Sequence, residues 1–212
     1  MSQLSGRSRA GACCFAAGGL LYLLAERTSA LAWHHPAYRY SHNYISDLGI
    51  PECGPQICSP LHNVMNAGFA VEGVLFLLAC LLLRPQLSGG MGWAALLAGG
   101  LHGIGGVMIA LFHSGGEADG VTLHQTGAVM AIGGGNLCLI VTGLALRRCA
   151  PVYAAFSLLL GMVGLLCMVL IPYVALPIGI IERAAVYPIT LWQVVSGFSL
   201  LLLSYRFKRS VL

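Results

Sequence analysis

Three histidines stand out among the residues able to do chemistry: His62, His102 and His124 fall in three different apolar stretches. Imidazoles delivered from separate helices, with Asp47 or Glu72 as a fourth, oxygen ligand, form a donor set that zinc accepts, and a zinc-bound water is a nucleophile at neutral pH. On this reading His62, His102 and His124 hold the metal, and together with Asp47 they carry the acid–base work. No two of them have the spacing of a zincin helix, so spacing alone does not diagnose a metal. Without zinc the same groups read as hydrogen-bonded helix-end residues or as stations of a proton path. His34, His35 and His42 read as interfacial residues.

Further polar side chains sit where an apolar segment has to accommodate them: Glu26 and Arg27, Asn63 and Asn66, Glu72, Asn136, then Glu182, Arg183 and Tyr187. An ionisable group inside a bilayer costs roughly 2.5–3.5 kcal/mol on insertion scales and usually faces a bundle interior or a water-filled cavity. His62 and Asn66 are four residues apart and share a helical face flanked by Asn63, a set suited to lining one pocket. Glu26 and Arg27 point about 100° apart on a helix and cannot neutralise each other well, and the same holds for Glu182 and Arg183. Crossed pairs, Glu26 with Arg183 and Glu182 with Arg27, are therefore expected. The polar groups gather in one half of the segments, which predicts a polar cavity open to the outside; the alternative is a set of ion pairs that merely lock helices together. Ser46 and Asp47 read either as a helix cap or as the cavity lip, with Asp47 orienting a histidine or a metal-bound water. Glu117 and Asp119, between His113 and His124, read as a solvated turn.

The elements that position these residues are helices in a membrane. Of 212 residues 58% are apolar and 8% charged, and mean hydropathy is +0.82, whereas soluble domains carry roughly 25% charged residues. Spans are predicted near residues 10–33, 61–83, 90–112, 122–146, 151–172 and 189–205, an all-α, polytopic transmembrane bundle of six helices in one domain over residues 1–212. Tyr173 to Pro188 is broken by Pro177 and Gly179 and reads as an interfacial or re-entrant segment. With the first end inside, Arg7, Arg9, Arg84, Arg147, Arg148, Arg206, Lys208 and Arg209 are cytoplasmic, while Arg39 and Arg183 are outside, so both termini are expected in the cytoplasm. Arg7 and Arg9, an apolar run and Ala30-Leu31-Ala32 also imitate a cleavable secretory signal. Cys53 and Cys58 share a proline-flanked loop in which a disulfide is chemically permitted. The glycines of the third and fourth segments, Gly99 to Gly106 and Gly133 to Gly135, predict close packing of those two helices. No basic block points to nucleic acid.

Pro36-Ala37-Tyr38, Asn43-Tyr44-Ile45-Ser46-Asp47-Leu48-Gly49 and Asn63 to Gly68, with Glu26 earlier and Gly179, Glu182-Arg183, Tyr187-Pro188 and Trp192 later, give the chain its family likeness. In these it resembles the bacterial and archaeal membrane family called Domain of Unknown Function 998. The resemblance spans nearly the whole chain and implies a multi-pass protein of the bacterial inner membrane, but no activity. The Ile-Ser-Asp-x-Gly segment is also similar to one in the Frag, DRAM and Sfk membrane proteins, some linked to lipid remodelling. Three functions follow as expectations: a lipid-directed protein, binding or hydrolysing lipid at an outward cavity with membrane lipids as partners; a proton- or ion-coupled transporter; or a structural protein without catalysis.

Overall fold

The computed structural model describes residues 5–114 and 121–209. Among these it contains six long helices: α1 (Gly6–Ala32), α2 (His62–Leu83), α3 (Gly89–Leu111), α4 (Leu123–Leu146), α5 (Pro151–Leu170) and α6 (Ile178–Arg209). All six are long and apolar enough to cross a membrane. The chain is a multi-pass membrane protein. Glu117 and Asp119 lie outside the described residues.

Local chemistry accounts for the helix starts. Ser5 caps α1 by accepting from the Ser8 amide at 3.1 Å. Thr122 and Gln125 form a reciprocal capping box at the head of α4. Pro151 occupies the first position of α5, where its missing N–H is no loss. The sixth helix corrects the sequence expectation: it starts at Ile178, eleven residues before the expected Ile189, and Pro188 lies inside it. Pro177, just ahead of the first turn, ends nothing there. Asn136 Nδ2 on α4 donates to the Ala185 carbonyl at 3.0 Å, one residue past the Ala184 carbonyl that Pro188 leaves without its helical donor, and so ties this turn of α6 to α4.

Each helix packs on its neighbours in sequence, and α6 returns to pack on α1, so the six form a closed ring, with α4 also touching α6 across it. Glycines set the closest approaches. A Cβ on Gly73 would lie 2.7 Å from the Gly103 carbonyl oxygen, and one on Gly105 would lie 2.5 Å from the Gly127 oxygen. The glycines of α3 thus serve two interfaces: Gly103 and Gly106 face α2, and Gly105 faces α4. The expectation of a single glycine-lined contact between α3 and α4 covers half of this arrangement.

The 33–61 connection folds over one end of the ring, hereafter the loop end. Arg7, Arg84 and Arg147-Arg148 mark the other, arginine end, where the Arg7 guanidinium donates to the Leu81 carbonyl at 2.9 Å. Leu48 and Ile45 are the apolar anchors of the loop, at 0% and 2% exposure. A short 3-10 turn, Ser46–Gly49, follows Ile45. Ser59 Oγ donates to the Leu48 carbonyl at 2.7 Å and Asn66 Nδ2 to the Gly49 carbonyl at 2.9 Å, pinning the loop to α2. Cys53 and Cys58 are joined by a disulfide within it.

Candidate functional site

Two buried charge clusters lie between the loop end and mid-membrane. In the first, Arg183 of α6 donates through Nη2 to Glu26 Oε1 of α1 at 2.9 Å, while Nη1 reaches the carbonyls of Tyr40 at 2.7 Å and of Asn43 and Gly179 at 3.1 Å. The Tyr38 hydroxyl also accepts from Nη2. Tyr187 donates to the Glu26 carboxylate at 3.0 Å. Gly179 makes this possible, since a Cβ there would run into the Tyr40 and Asn43 carbonyls that Arg183 collects. The guanidinium is therefore fully committed, with Tyr38 and Tyr40 rings stacked beside it.

In the second cluster, His102 Nε2 of α3 lies 3.0 Å from Glu72 Oε1 of α2, and Gln193 Nε2 of α6 donates to the same oxygen at 3.1 Å. His102 Nδ1 lies 2.7 Å from the Ala131 carbonyl on α4. A carbonyl only accepts, so Nδ1 carries a proton. The Nε2–carboxylate contact must then hold one more proton, either as imidazolium with carboxylate or as neutral imidazole with carboxylic acid. Gly135 lets the ring lie this close to α4, for a Cβ there would fall 2.8 Å from Nδ1.

Between the clusters is a cavity of about 70 Å³. Glu72 and His102 line its deep side, Ser46 and His124 its loop side, and Glu182, Tyr22 and Thr190 its wall. Glu182 is buried and its Oε2 accepts from the Ile45 amide at 2.6 Å. Among the described residues no cationic side chain pairs with it. Arg27 is exposed, so the expected Glu182–Arg27 pair is not formed, whereas Glu26 and Arg183 are paired. One helix explains both outcomes: Glu182 and Arg183 are consecutive on α6 and face different neighbours.

A residue match now bears on this arrangement: residues 15–199 fit the family model for a protein of unknown function, DUF998. The chain belongs to the DUF998 family. No curated protein and no solved structure matches it. The segments that carry the family likeness meet in the first cluster of this DUF998 chain: Glu26, Tyr38, Asn43, Gly179, Arg183 and Tyr187 are all partners there.

The structure does not bring the three candidate zinc histidines of the DUF998 chain together, and among its described residues no three His, Cys, Asp or Glu side chains converge as a metal would require. His62 Nδ1 turns back to the Ser59 carbonyl at 3.2 Å, and His124 Nδ1 lies 2.8 Å from that of Phe112, joining the end of α3 to the start of α4. Both His102 nitrogens are engaged. Asp47 Oδ2 accepts from the Tyr44 amide at 2.9 Å and from Asn43, closing its own turn rather than orienting a histidine. Burial raises its carboxyl above the usual aspartate range, more than the Tyr44 and Asn43 hydrogen bonds lower it. Asn63 is exposed, Asn66 serves the loop, and Asn136 serves α6, so the shared His62–Asn66 pocket does not form. Gln193 and Thr190 were not among the sequence candidates. Glu182, Val186, Thr190 and Gln193 follow the spacing of one helical face, a signal visible once the sixth helix is begun at Ile178.

Proposed function

We propose that the protein binds a primary ammonium group, from a free amine or an amine-bearing lipid headgroup, in the cavity beside Glu182, and releases a proton to solvent as it does so. The observation that carries this reading is Glu182 itself: a buried carboxylate on the cavity wall with a backbone donor but no cationic partner among the described residues. The remaining polar wall favours a donor ligand, since Glu72 and Thr190 accept hydrogen bonds and the one nearby guanidinium is turned to Glu26. A volume of about 70 Å³ suits a small ammonium head in place of about two waters, since a water occupies about 30 Å³ of liquid. The glycerol and chains of a lipid would stay outside.

The Glu72–His102 pair is the adjacent proton store. An ammonium seated between Glu182 and Glu72 brings its positive charge beside the proton held at the Glu72–His102 contact, so its arrival drives that proton out to solvent. The charge distribution supports a loop end facing outward, so the amine would come from the extracytoplasmic side. Hydrolysis has no assembled nucleophile in this reading. A transport path would have to cross the packed layer of Phe15, Phe76 and Trp192, which has ring centroids 5.1 and 5.3 Å from Phe15.

The test is isothermal titration of nanodisc-reconstituted protein with ethanolamine, in buffers of different ionisation enthalpy, beside Glu182→Gln. Saturable heat that varies with the buffer and is lost in Glu182→Gln is expected. Discs with and without phosphatidylethanolamine identify the source, since the lipid would compete with the free amine. Buffer-independent heat, or binding unchanged in Glu182→Gln, overturns the proposal.

A further inference from the structure

A second, larger cavity of about 470 Å³ opens at the arginine end. It lies beyond the Phe15–Phe76–Trp192 layer and shares no residue with the first. Its walls are apolar side chains such as Leu83, Leu87, Ala95 and Leu200, with Cys80 and Cys138 at depth, their sulfurs 4.0 Å apart. Arg84 also lines it. Among the described residues Arg84 Nε is shut off from solvent and donates to no acceptor, and the guanidinium carbon lies 4.3 Å over the Trp93 ring. A buried guanidinium nitrogen without an acceptor is unfavourable, which points to an anion that arrives from outside the chain.

The charge around the mouth has one sign. Arg7, Arg9, Arg84, Arg147 and Arg148 stand at this end, and among the described residues the acids Glu26, Asp47, Glu52, Glu72 and Glu182 lie in the loop or in the loop-end halves of the helices. A dry cavity of roughly 150 Å³ holds one benzene ring, so this one has room for a length of alkyl chain. An apolar slot that ends at a guanidinium, in a protein surrounded by lipid, matches an acyl chain carrying an anionic head. We infer that the cavity binds one phospholipid with an anionic headgroup, its chain in the slot and its phosphate on Arg84.

The experiment is native mass spectrometry of detergent-released protein after incubation with phosphatidylglycerol, phosphatidylcholine or the short soluble headgroup glycerol phosphate. Two variants accompany it: Arg84→Gln, which removes the charge at similar size, and Ser199→Phe, which fills the slot and leaves Arg84 intact. One phosphatidylglycerol retained per chain is expected, at least tenfold preferred over phosphatidylcholine. The preference should vanish in Arg84→Gln, and retention of both lipids should fall in Ser199→Phe. Circular dichroism and a single gel-filtration peak establish that each variant is folded; if Ser199→Phe is not, Thr142→Leu in the same wall takes its place, and if Arg84→Gln is not, Arg84→Met removes the charge instead. Equal retention of the two lipids, binding unchanged by the variants, or glycerol phosphate binding as well as the lipid would overturn the inference. Because Glu182→Gln leaves this cavity untouched, failure of the amine proposal has no bearing on the outcome.

Discussion

At the scale of single residues, the Glu26–Arg183 pair is the most exacting contact in the protein. Both partners are buried, at 2% and 7% exposure, and each is surrounded by further hydrogen bonds, the condition under which a buried ion pair offsets its desolvation. Glu26→Gln should therefore lower stability in detergent by about 3–5 kcal/mol, as for other buried pairs that lose one partner. The double variant Glu26→Gln with Arg183→Gln should lose less than the sum of the two single changes, and thermal unfolding of the four proteins measures that coupling. Asp47 makes a prediction in pH. Its carboxyl binds a proton more tightly folded than unfolded because burial outweighs its hydrogen bonds. That stabilisation is complete below the ordinary aspartate range, about 3.9, and fades as pH rises through the raised folded value. Asp47→Asn, permanently neutral, should remove this slope, so the wild type should lose stability relative to the variant between about pH 4 and neutrality. Parallel melting curves across pH would refute it.

At the scale of elements, glycine placement decides how closely helices approach. Gly105→Ala should destabilise by about 1–3 kcal/mol, the range for overpacked interiors, because its new methyl meets the backbone of α4 at Gly127 and Ala131. Gly100→Ala, five residues away on the same helix, would meet only Leu77 at 3.9 Å and should be neutral or slightly stabilising through helix propensity. Unequal unfolding midpoints for the two variants are the expected result. These helices were readable from composition alone, since long apolar runs bounded by Pro, Arg and Gly leave few alternatives. The start of α6 was not. Pro177 and Gly179 argue locally for a break, and the contacts that hold the first turns of α6, Gly179 against the Tyr40 and Asn43 carbonyls and Asn136 of α4 on the Ala185 oxygen, exist only in the assembled bundle. That one displaced boundary separated Glu182 from Thr190 and Gln193, and so hid the cavity wall. His62 and Asn66 failed for a related reason: a shared helical face says which way side chains point, but the loop that folds over α2 offered both of them nearer backbone partners.

At the scale of the whole molecule, the two cavities divide the bundle between them. One is small, acidic and buried under the loop; the other is large and apolar, with Arg84 in its wall. The Phe15, Phe76 and Trp192 rings keep them apart. His102 stacks on that layer, its ring 4.3 Å from Phe76, so the proton-bearing pair rests directly on the barrier.

The closure of α6 onto α1 has a consequence for chain connectivity. A ring in which the last helix packs on the first has no structural beginning, and both α1 and α6 reach the arginine end with their outer termini. A circular permutant that joins those termini through a short flexible linker and reopens the chain at Arg148-Cys149, between α4 and α5, keeps every helix pointing the way it does now. It should insert and retain the helicity and single unfolding transition of the parent, because exposed turns tolerate such cuts. Reopening within residues 39–45 instead should abolish folding, because that stretch carries the carbonyls that hold Arg183. Circular dichroism of the two permutants would separate the order in which the helices are threaded from the contacts that keep them together.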